Sequence, residues 1–196
     1  MKRLFCLVVC MIAILVVAHT SDAAPISYFA NLNGPSESPS NASPGTGFAE
    51  VDFDSVANTM HVHITFSGLT TNTIASHIHA ATAVPGTGTA GVATTIPAFP
   101  GFPLGVTSGT YDNTLDMTSA SSYNPAFITA NGGTVADAEA VLAAALASDE
   151  AYLNIHTTQF PGGEIRGFLT VPEPATLALL GLGLVGLVGV RRKLRK

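Results

Sequence analysis

The sequence predicts a mainly β protein, an antiparallel β-sandwich with one helix laid across an end or edge. Gly, Pro, Ser and Thr are scattered along the central part of the chain, and short segments of alternating apolar and polar residues recur between them. Only one segment has the spacing of an amphipathic helix. The 196 residues leave room for one domain between two apolar terminal segments.

Alternation places the first four strands at residues 28–32, 48–53, 60–66 and 74–79. The third of these is the clearest, because Met60, Val62, Ile64 and Phe66 fall on one face and His61, His63 and Thr65 on the other. The proline-rich segment 33–45 has no alternation and is predicted to be a loop, and residues 54–58 are predicted to turn the chain.

The second half of the chain is less periodic. Residues 84–105 are rich in Gly, Pro and Thr and are predicted to form a long surface loop. A helix is predicted over 134–148, capped by Thr134 with Asp137 three residues later. Its expected apolar stripe consists of Val135, Val141, Leu142 and Leu146. Strands at 152–156 and 164–169 follow, joined by a Pro-Gly-Gly turn over 157–163.

The N-terminus has the pattern of a secretory signal peptide, assigned to residues 1–23. Lys2 and Arg3 precede an apolar run over 4–18, and small residues follow it, so cleavage is expected after Ala23 or Ala24. Cys6 and Cys10 would leave with this segment. The exported domain, assigned to 25–170, therefore contains no thiol and no disulfide.

The exported domain is strongly acidic. Removing Asp22 and Glu173 from the thirteen acidic residues leaves eleven, against the single cation Arg166, for a net charge of about −10. Nucleic acid is excluded as a partner, because phosphate binding requires clustered Lys and Arg. Most of the carboxylates are expected to form a solvated surface.

The C-terminal segment 171–196 has three parts in a fixed order: the motif Pro172-Glu173-Pro174, an apolar run over 175–190 and a basic tail over 191–196. It resembles the PEP-CTERM sorting signal. The resemblance implies a short transmembrane helix, recognition by an exosortase and delivery to the cell surface or extracellular matrix of a Gram-negative, exopolysaccharide-producing bacterium. A permanent single-pass anchor is the alternative, although sixteen helical residues rise about 24 Å, slightly short of a bilayer core of about 30 Å.

Three histidines are candidate metal ligands. His77 and His79 alternate with Ile78 on a predicted strand, so both imidazoles point to one side, and His156 could supply a third ligand from a strand nearby. Copper and zinc both accept imidazole ligands. Asn154 and Glu164 are expected to support the ligands from outside the coordination sphere.

A structural role for the same residues is the competing hypothesis. In it, the imidazoles would be hydrogen-bonded to backbone groups, and Arg166 would pair with Glu164 or with a helix carboxylate. Convergent imidazoles would favour the metal hypothesis. His61 and His63 are expected to be exposed to solvent, since the opposite face of their strand is apolar.

Several segments together resemble the CHRD domain, named from chordin, over about residues 28–169. They are Leu32-Asn33-Gly34-Pro35, Gly45 to Ala49, Phe66 to Leu69, His77 to His79, Tyr152 to Thr157 and Gly162 to Gly167. The resemblance implies a β-sandwich of the immunoglobulin or superoxide dismutase type, an extracellular setting and a binding role. Exopolysaccharide and surface proteins are the candidate partners of such an exported module.

The His-x-His strand and the late His, Gly-Gly turn and Arg are also similar to the layout of copper–zinc superoxide dismutase. That similarity implies that His77, His79 and His156 bind copper and that Arg166 guides an anionic substrate. The exported domain departs from the pattern, because it has no recognisable bridging His with a zinc loop and no cysteine for the disulfide. The sequence thus predicts a surface or matrix module, with a three-His copper or zinc site as its specific hypothesis.

Overall fold

The computed structural model describes residues 24–172. Seven strands form one antiparallel sheet in the order β4-β6-β7-β1-β2-β3-β5, which curls so that one face encloses the core. The strands are β1 (Ile26–Asn33), β2 (Thr46–Asp54), β3 (Thr59–Ser67), β4 (Thr73–His79), β5 (Gly109–Asp116), β6 (Tyr152–Thr157) and β7 (Ile165–Phe168). The predicted fold class, mainly β and antiparallel, is confirmed.

The core lies on the face to which the alternating apolar residues point. In β3, the four residues predicted to share a face, Met60, Val62, Ile64 and Phe66, are all buried. The register sets Val51 of β2 opposite Val62 and Ala49 opposite Ile64, so neighbouring strands present their apolar side chains to the same side. Removal of this apolar surface from water is the main favourable term in folding.

Two helices pack against the core, α1 (Pro125–Ala130) and α2 (Val135–Ala147). The predicted cap of α2 is confirmed, because the Thr134 hydroxyl accepts a hydrogen bond from the Asp137 amide at 3.2 Å. The buried side chains of α2 are Ala138, Leu142, Ala145 and Leu146. The predicted stripe is therefore correct for its two leucines, whereas Val135 and Val141 lie at its margin and are only partly buried.

Strand β5 and helix α1 were not predicted. Only Tyr111 and Leu115 of β5 are buried, and the polar residues between them weaken the strand pattern. The strand forms because it pairs with β3 along its whole length, from Thr59 opposite Asp116 to Phe66 opposite Gly109. Helix α1 has six residues, too few for a periodic signal.

The segment predicted as a surface loop, 84–105, is only partly on the surface. It runs along the free edge of β4, where the amides of Ala93 and Phe99 donate to the carbonyls of Ile78 and Ser76. Phe99 and Phe102 insert into the core. The loop thus covers an edge strand that would otherwise expose unpaired backbone groups.

Both predicted terminal segments lie outside the described residues. The first is the signal peptide. The second consists of Glu173 and Pro174 of the sorting motif, the transmembrane helix over 175–190 and its basic tail. None of the helices within 24–172 combines the length and the apolar character needed to cross a membrane.

Candidate metal centre

The candidate site lies on the outer face of β4, β6 and β7, opposite the core. The strand register sets His79 across from Tyr152 and Tyr152 across from Phe168. One row further along, His77 lies across from Asn154, and Asn154 across from Arg166. Because His156 follows Asn154 by two residues, it projects from the same face.

The structure brings the three predicted ligands together. One nitrogen can be chosen from each of His77, His79 and His156 so that all three lie within 4.8 Å of one another. The ring centroid of His77 lies 4.7 Å from that of His79 and 4.7 Å from that of His156. All three side chains are buried. This is the convergence that the metal hypothesis requires.

Backbone carbonyls fix the tautomers of two of the rings. Nδ1 of His79 donates to the Ala90 carbonyl, and Nδ1 of His156 donates to the Pro161 carbonyl, both at 2.9 Å. A carbonyl can only accept, so Nδ1 carries the proton and Nε2 keeps its lone pair in each neutral ring. An Nδ1–H bonded to a carbonyl is the usual outer-shell arrangement of a histidine that binds a metal through Nε2.

The two free Nε2 atoms converge on the side-chain amide of Asn154. Its Oδ1 lies 2.9 Å from Nε2 of His156 and 3.2 Å from Nε2 of His79. An amide oxygen cannot donate to these lone pairs, so this arrangement sets three acceptors together. Three acceptors this close together favour a bound cation between them. The alternative is a rotated Asn154 amide, whose NH₂ group would donate to the two histidines. The buried Nδ1 of His77 also has no hydrogen-bond partner within 24–172.

Burial also keeps the imidazoles neutral. Desolvation lowers the pKa of His77 to about 3, with the nearby His156 and His79 rings adding to the effect. The pKa values of His79 and His156 are likewise lowered, in both cases chiefly by burial. A neutral imidazole is the form that binds a metal ion, so at neutral pH no proton has to leave these rings.

Arg166 is buried and joins two loops to the sheet. Its Nε donates to the Ser36 carbonyl, and its Nη1 donates to the Gly88 carbonyl at 3.1 Å. The guanidinium carbon lies 4.7 Å from the centre of the Tyr152 ring. The role of substrate guide, which the superoxide dismutase similarity implies, stays a prediction; the observed contacts are those of a residue that positions loops.

Glu164 does not contact the histidines through its hydrogen bonds. Its carboxylate accepts from the Ser43 hydroxyl at 2.5 Å, the Thr157 hydroxyl at 2.5 Å and the Thr70 amide at 2.7 Å. Burial alone would raise the pKa of this carboxyl, but these donors outweigh it and lower the pKa. Glu164 therefore ties the β6–β7 turn to the loops before β2 and β4, rather than supporting a ligand as expected.

The carboxylate nearest to Arg166 is that of Glu37, and its importance was not recognised from the sequence. Glu37 Oε2 lies 3.9 Å from Nε of Arg166. The expected partners, Glu164 or a helix carboxylate, were wrong because Glu37 arrives from the loop after β1, which has no periodic pattern. The one available signal in the sequence was the lone cation Arg166, because a buried cation needs a carboxylate partner.

His61 and His63 lie on the outer face of β3, as predicted, where carboxylates hold both rings. Asp112 Oδ1 lies 2.9 Å from Nε2 of His61, and Asp112 Oδ2 lies 3.2 Å from Nδ1 of His63. The hydrogen bond that His61 donates to Asp112, supported by Asp52, raises the pKa of His61. This partly exposed pair is separate from the three-histidine cluster.

The comparisons with known proteins agree with this description. Residues 28–169 match the family model described as the CHRD domain, and residues 170–193 match the PEP-CTERM protein-sorting motif. No curated protein and no solved structure matches the chain. The sorting motif indicates recognition by an exosortase and export through the membrane to the cell envelope of a Gram-negative bacterium. The match over 28–169 covers well over half of the sequence, and the chain therefore belongs to the CHRD domain family.

Proposed function

We propose that this protein is an exported cell-envelope module that binds one copper or zinc ion through His77, His79 and His156. The observation that carries the proposal is the convergence of three buried, neutral imidazoles within 4.8 Å, with Nδ1 of two of them already committed to backbone carbonyls. Such preorganisation removes part of the cost of ordering the ligands.

The chemistry of the ligand set favours these two metals. Zinc binds imidazole nitrogen at about 2.0 to 2.1 Å, so tetrahedral ligands lie about 3.3 Å apart. The rings would have to close by only about 1.5 Å from their present limit of 4.8 Å. Three histidines leave a fourth position open, which is typical of sites that bind water or a small ligand. Calcium and magnesium, which prefer oxygen ligands, are disfavoured.

Metal content decides the proposal. We expect the full-length chain, purified in detergent and loaded with Cu²⁺ or Zn²⁺, to retain about one ion per chain. His77→Ala and His156→Ala should each weaken binding at least tenfold. His61→Ala is the matched control, because it removes an imidazole from another face of the same sheet. Retention of the ion by both site variants, or no stoichiometric ion in the folded wild-type chain, would refute the proposal.

A second candidate function is attachment to exopolysaccharide, with binding to surface proteins as its alternative. A groove of about 460 Å³ on the outer face of β2, β3 and β5 supports the first. Thr46, Thr65 and Thr110 line it with hydroxyls, and the partly exposed Phe48 stacks on Phe29 at 6.0 Å. Hydroxyls beside an aromatic ring suit a neutral sugar, and an anionic polymer would be repelled by the acidic surface.

A further inference from the structure

Two carboxylates of the described residues are buried, and their surroundings differ. Glu164 has three short hydrogen bonds to hydroxyl and amide donors. Glu37 is only 7% exposed, yet its Oε1 has no partner within the described part of the chain. Its Oε2 has only the Ser38 amide at 3.4 Å and Arg166 Nε at 3.9 Å. A buried carboxylate with so few donors is costly and calls for a reason.

The side chains of Glu37 and Asn154 both lie close to the backbone of Gly163. A side chain added at Gly163 would collide with Glu37 Oε1 and would lie 2.9 Å from Asn154 Nδ2. The nitrogen end of the Asn154 amide therefore lies beside the carboxylate, and this proximity lowers the Glu37 pKa. The oxygen end of the same amide faces Nε2 of His79 and His156. One planar group thus connects the carboxylate to the candidate ligands.

We propose that Glu37 is a positioning residue of the three-histidine centre: it holds the Asn154 amide with Oδ1 towards the histidines and supplies the negative charge that balances a bound dication. This inference rests on the proposed function. Asn154 transmits the orientation, because an amide whose Nδ2 faces a carboxylate turns its oxygen the other way. An oxygen facing the metal position attracts a cation, whereas an NH₂ group would compete with it for the Nε2 lone pairs.

Charge balance gives Glu37 a second effect. Three neutral imidazoles bring no charge to a buried dication, and the nearest cation, Arg166, already contributes to lowering the His79 pKa. A buried charge requires a counter-charge. Among the carboxylates of residues 24–172, Glu37 is the one that is both buried and short of donors. It can therefore respond to a metal ion, whereas the hydrogen-bonded Glu164 cannot.

This arrangement gives metal binding a distinctive dependence on pH. Burial raises the pKa of Glu37 to about 7, although Arg166, Ser38 and Asn154 oppose the shift. Tyr152 is a further titratable group near Glu37, which contributes to raising its pKa, and the pKa values of the three imidazoles of the centre are lowered. Near pH 7 a metal ion should therefore displace a proton from Glu37 and not from its ligands.

The test is Zn²⁺ affinity of the full-length chain in detergent, measured by chelator competition at pH 6, 7 and 8. For one proton displaced from a group with a pKa near 7, the apparent Kd of the wild type should weaken about tenfold from pH 8 to pH 6. Glu37→Gln should bind more weakly at pH 8 and lose this dependence. Glu164→Gln, which removes the other buried carboxylate, should keep it even if the fold is less stable.

The outcomes separate this inference from the proposed function. A wild-type chain that binds no Zn²⁺ at pH 8 overturns the three-histidine centre and the role of Glu37 with it. Binding by the wild type with no change between pH 6 and 8 leaves the centre intact and overturns the role of Glu37. The same conclusion follows if Glu37→Gln matches the wild type at every pH. The pH dependence of the wild type tests the role of Glu37 even if Glu37→Gln does not fold.

Discussion

Gly162 and Gly163 are neighbours in the β6–β7 turn, but only Gly163 has surroundings that exclude a side chain. Gly163 has φ +128°, a conformation that L residues rarely adopt, and Glu37 and Asn154 occupy the space where its Cβ would lie. No atom lies within 4 Å of the corresponding position at Gly162. The loop that carries Glu37, the β6–β7 turn and strand β6 can therefore approach this closely only because Gly163 has no side chain.

We expect Gly163→Ala to lower the free energy of unfolding by about 1 to 3 kcal/mol, because the backbone is strained and the new methyl group displaces buried polar groups. It should also weaken Zn²⁺ binding, since the Asn154 amide can no longer sit between Glu37 and the histidines. Urea denaturation and chelator competition measure the two effects. Gly162→Ala is the control and should change neither; equal behaviour of the two variants would contradict this account.

The histidine motif shows what residue-level patterns can and cannot predict. Alternation on one strand was enough to place His77 and His79 on the same side. The approach of His156 depends on the pairing of β4 with β6, in which Ala75 lies opposite His156 and His77 opposite Asn154. This contact joins residues about eighty positions apart, and no local pattern encodes it. From spacing alone, His156 could be a third ligand only if its strand lay beside that of His77 and His79. The grouping of the three histidines in one site came from the similarity to superoxide dismutase.

At the scale of elements, the sheet has two outer surfaces of different character. The β4, β6 and β7 face is covered by loops and carries the buried histidine cluster. The β2, β3 and β5 face is open and carries hydroxyls, an exposed aromatic and several carboxylates. The open face depends on β5, the strand that the sequence did not reveal, because Thr110 and Asp112 enter it only when β5 pairs with β3.

The open face provides the prediction for sugar binding. Phe48→Ala removes the exposed ring beside the threonine-lined groove and should reduce retention of the protein on a neutral polysaccharide matrix at least fivefold, since an aromatic contact contributes about 1 kcal/mol. Affinity electrophoresis in gels that contain a neutral polysaccharide measures this. Val56→Ala changes an exposed apolar residue elsewhere and is the control. Unaltered retention of Phe48→Ala would exclude the groove as the binding surface.

At the scale of the whole molecule, the distribution of charge was predictable and the distribution of buried charge was not. Composition alone established that Arg166 is the one cation against eleven carboxylates in the exported domain. Burial of Glu37 under a loop without periodicity could not be read from the sequence, because it follows from the closure of that loop over Arg166. The carboxylate most closely tied to the site was therefore the one that sequence reasoning missed.

The buried histidines should make the stability of the metal-free protein fall in mild acid. The pKa of His77 is about 3 in the folded chain and about 6.5 when unfolded, so the unfolded chain binds more protons between these values. The stability associated with neutral His77 is thus present above pH 6.5 and is lost as the pH falls. From pH 7 to pH 5 this group alone should cost about 2 kcal/mol. Glu37, whose pKa is raised to about 7, acts in the opposite direction and gains about 2 kcal/mol over the same interval, so the net fall comes from His79 and His156, whose pKa values are also lowered.

Urea denaturation of the metal-free chain at pH 7 and pH 5 tests this balance. His77→Leu should lose less stability than the wild type on acidification, because the group that must remain neutral has been removed. His61→Ala should lose slightly more, since Asp112 raises the His61 pKa and its contribution is largest below pH 6.5. Equal losses in all three proteins would show that the buried imidazoles do not control acid stability. Saturating Zn²⁺ at pH 7 should raise the melting temperature of the wild type and not that of His77→Leu, because only a folded chain with all its ligands gains stability from the metal.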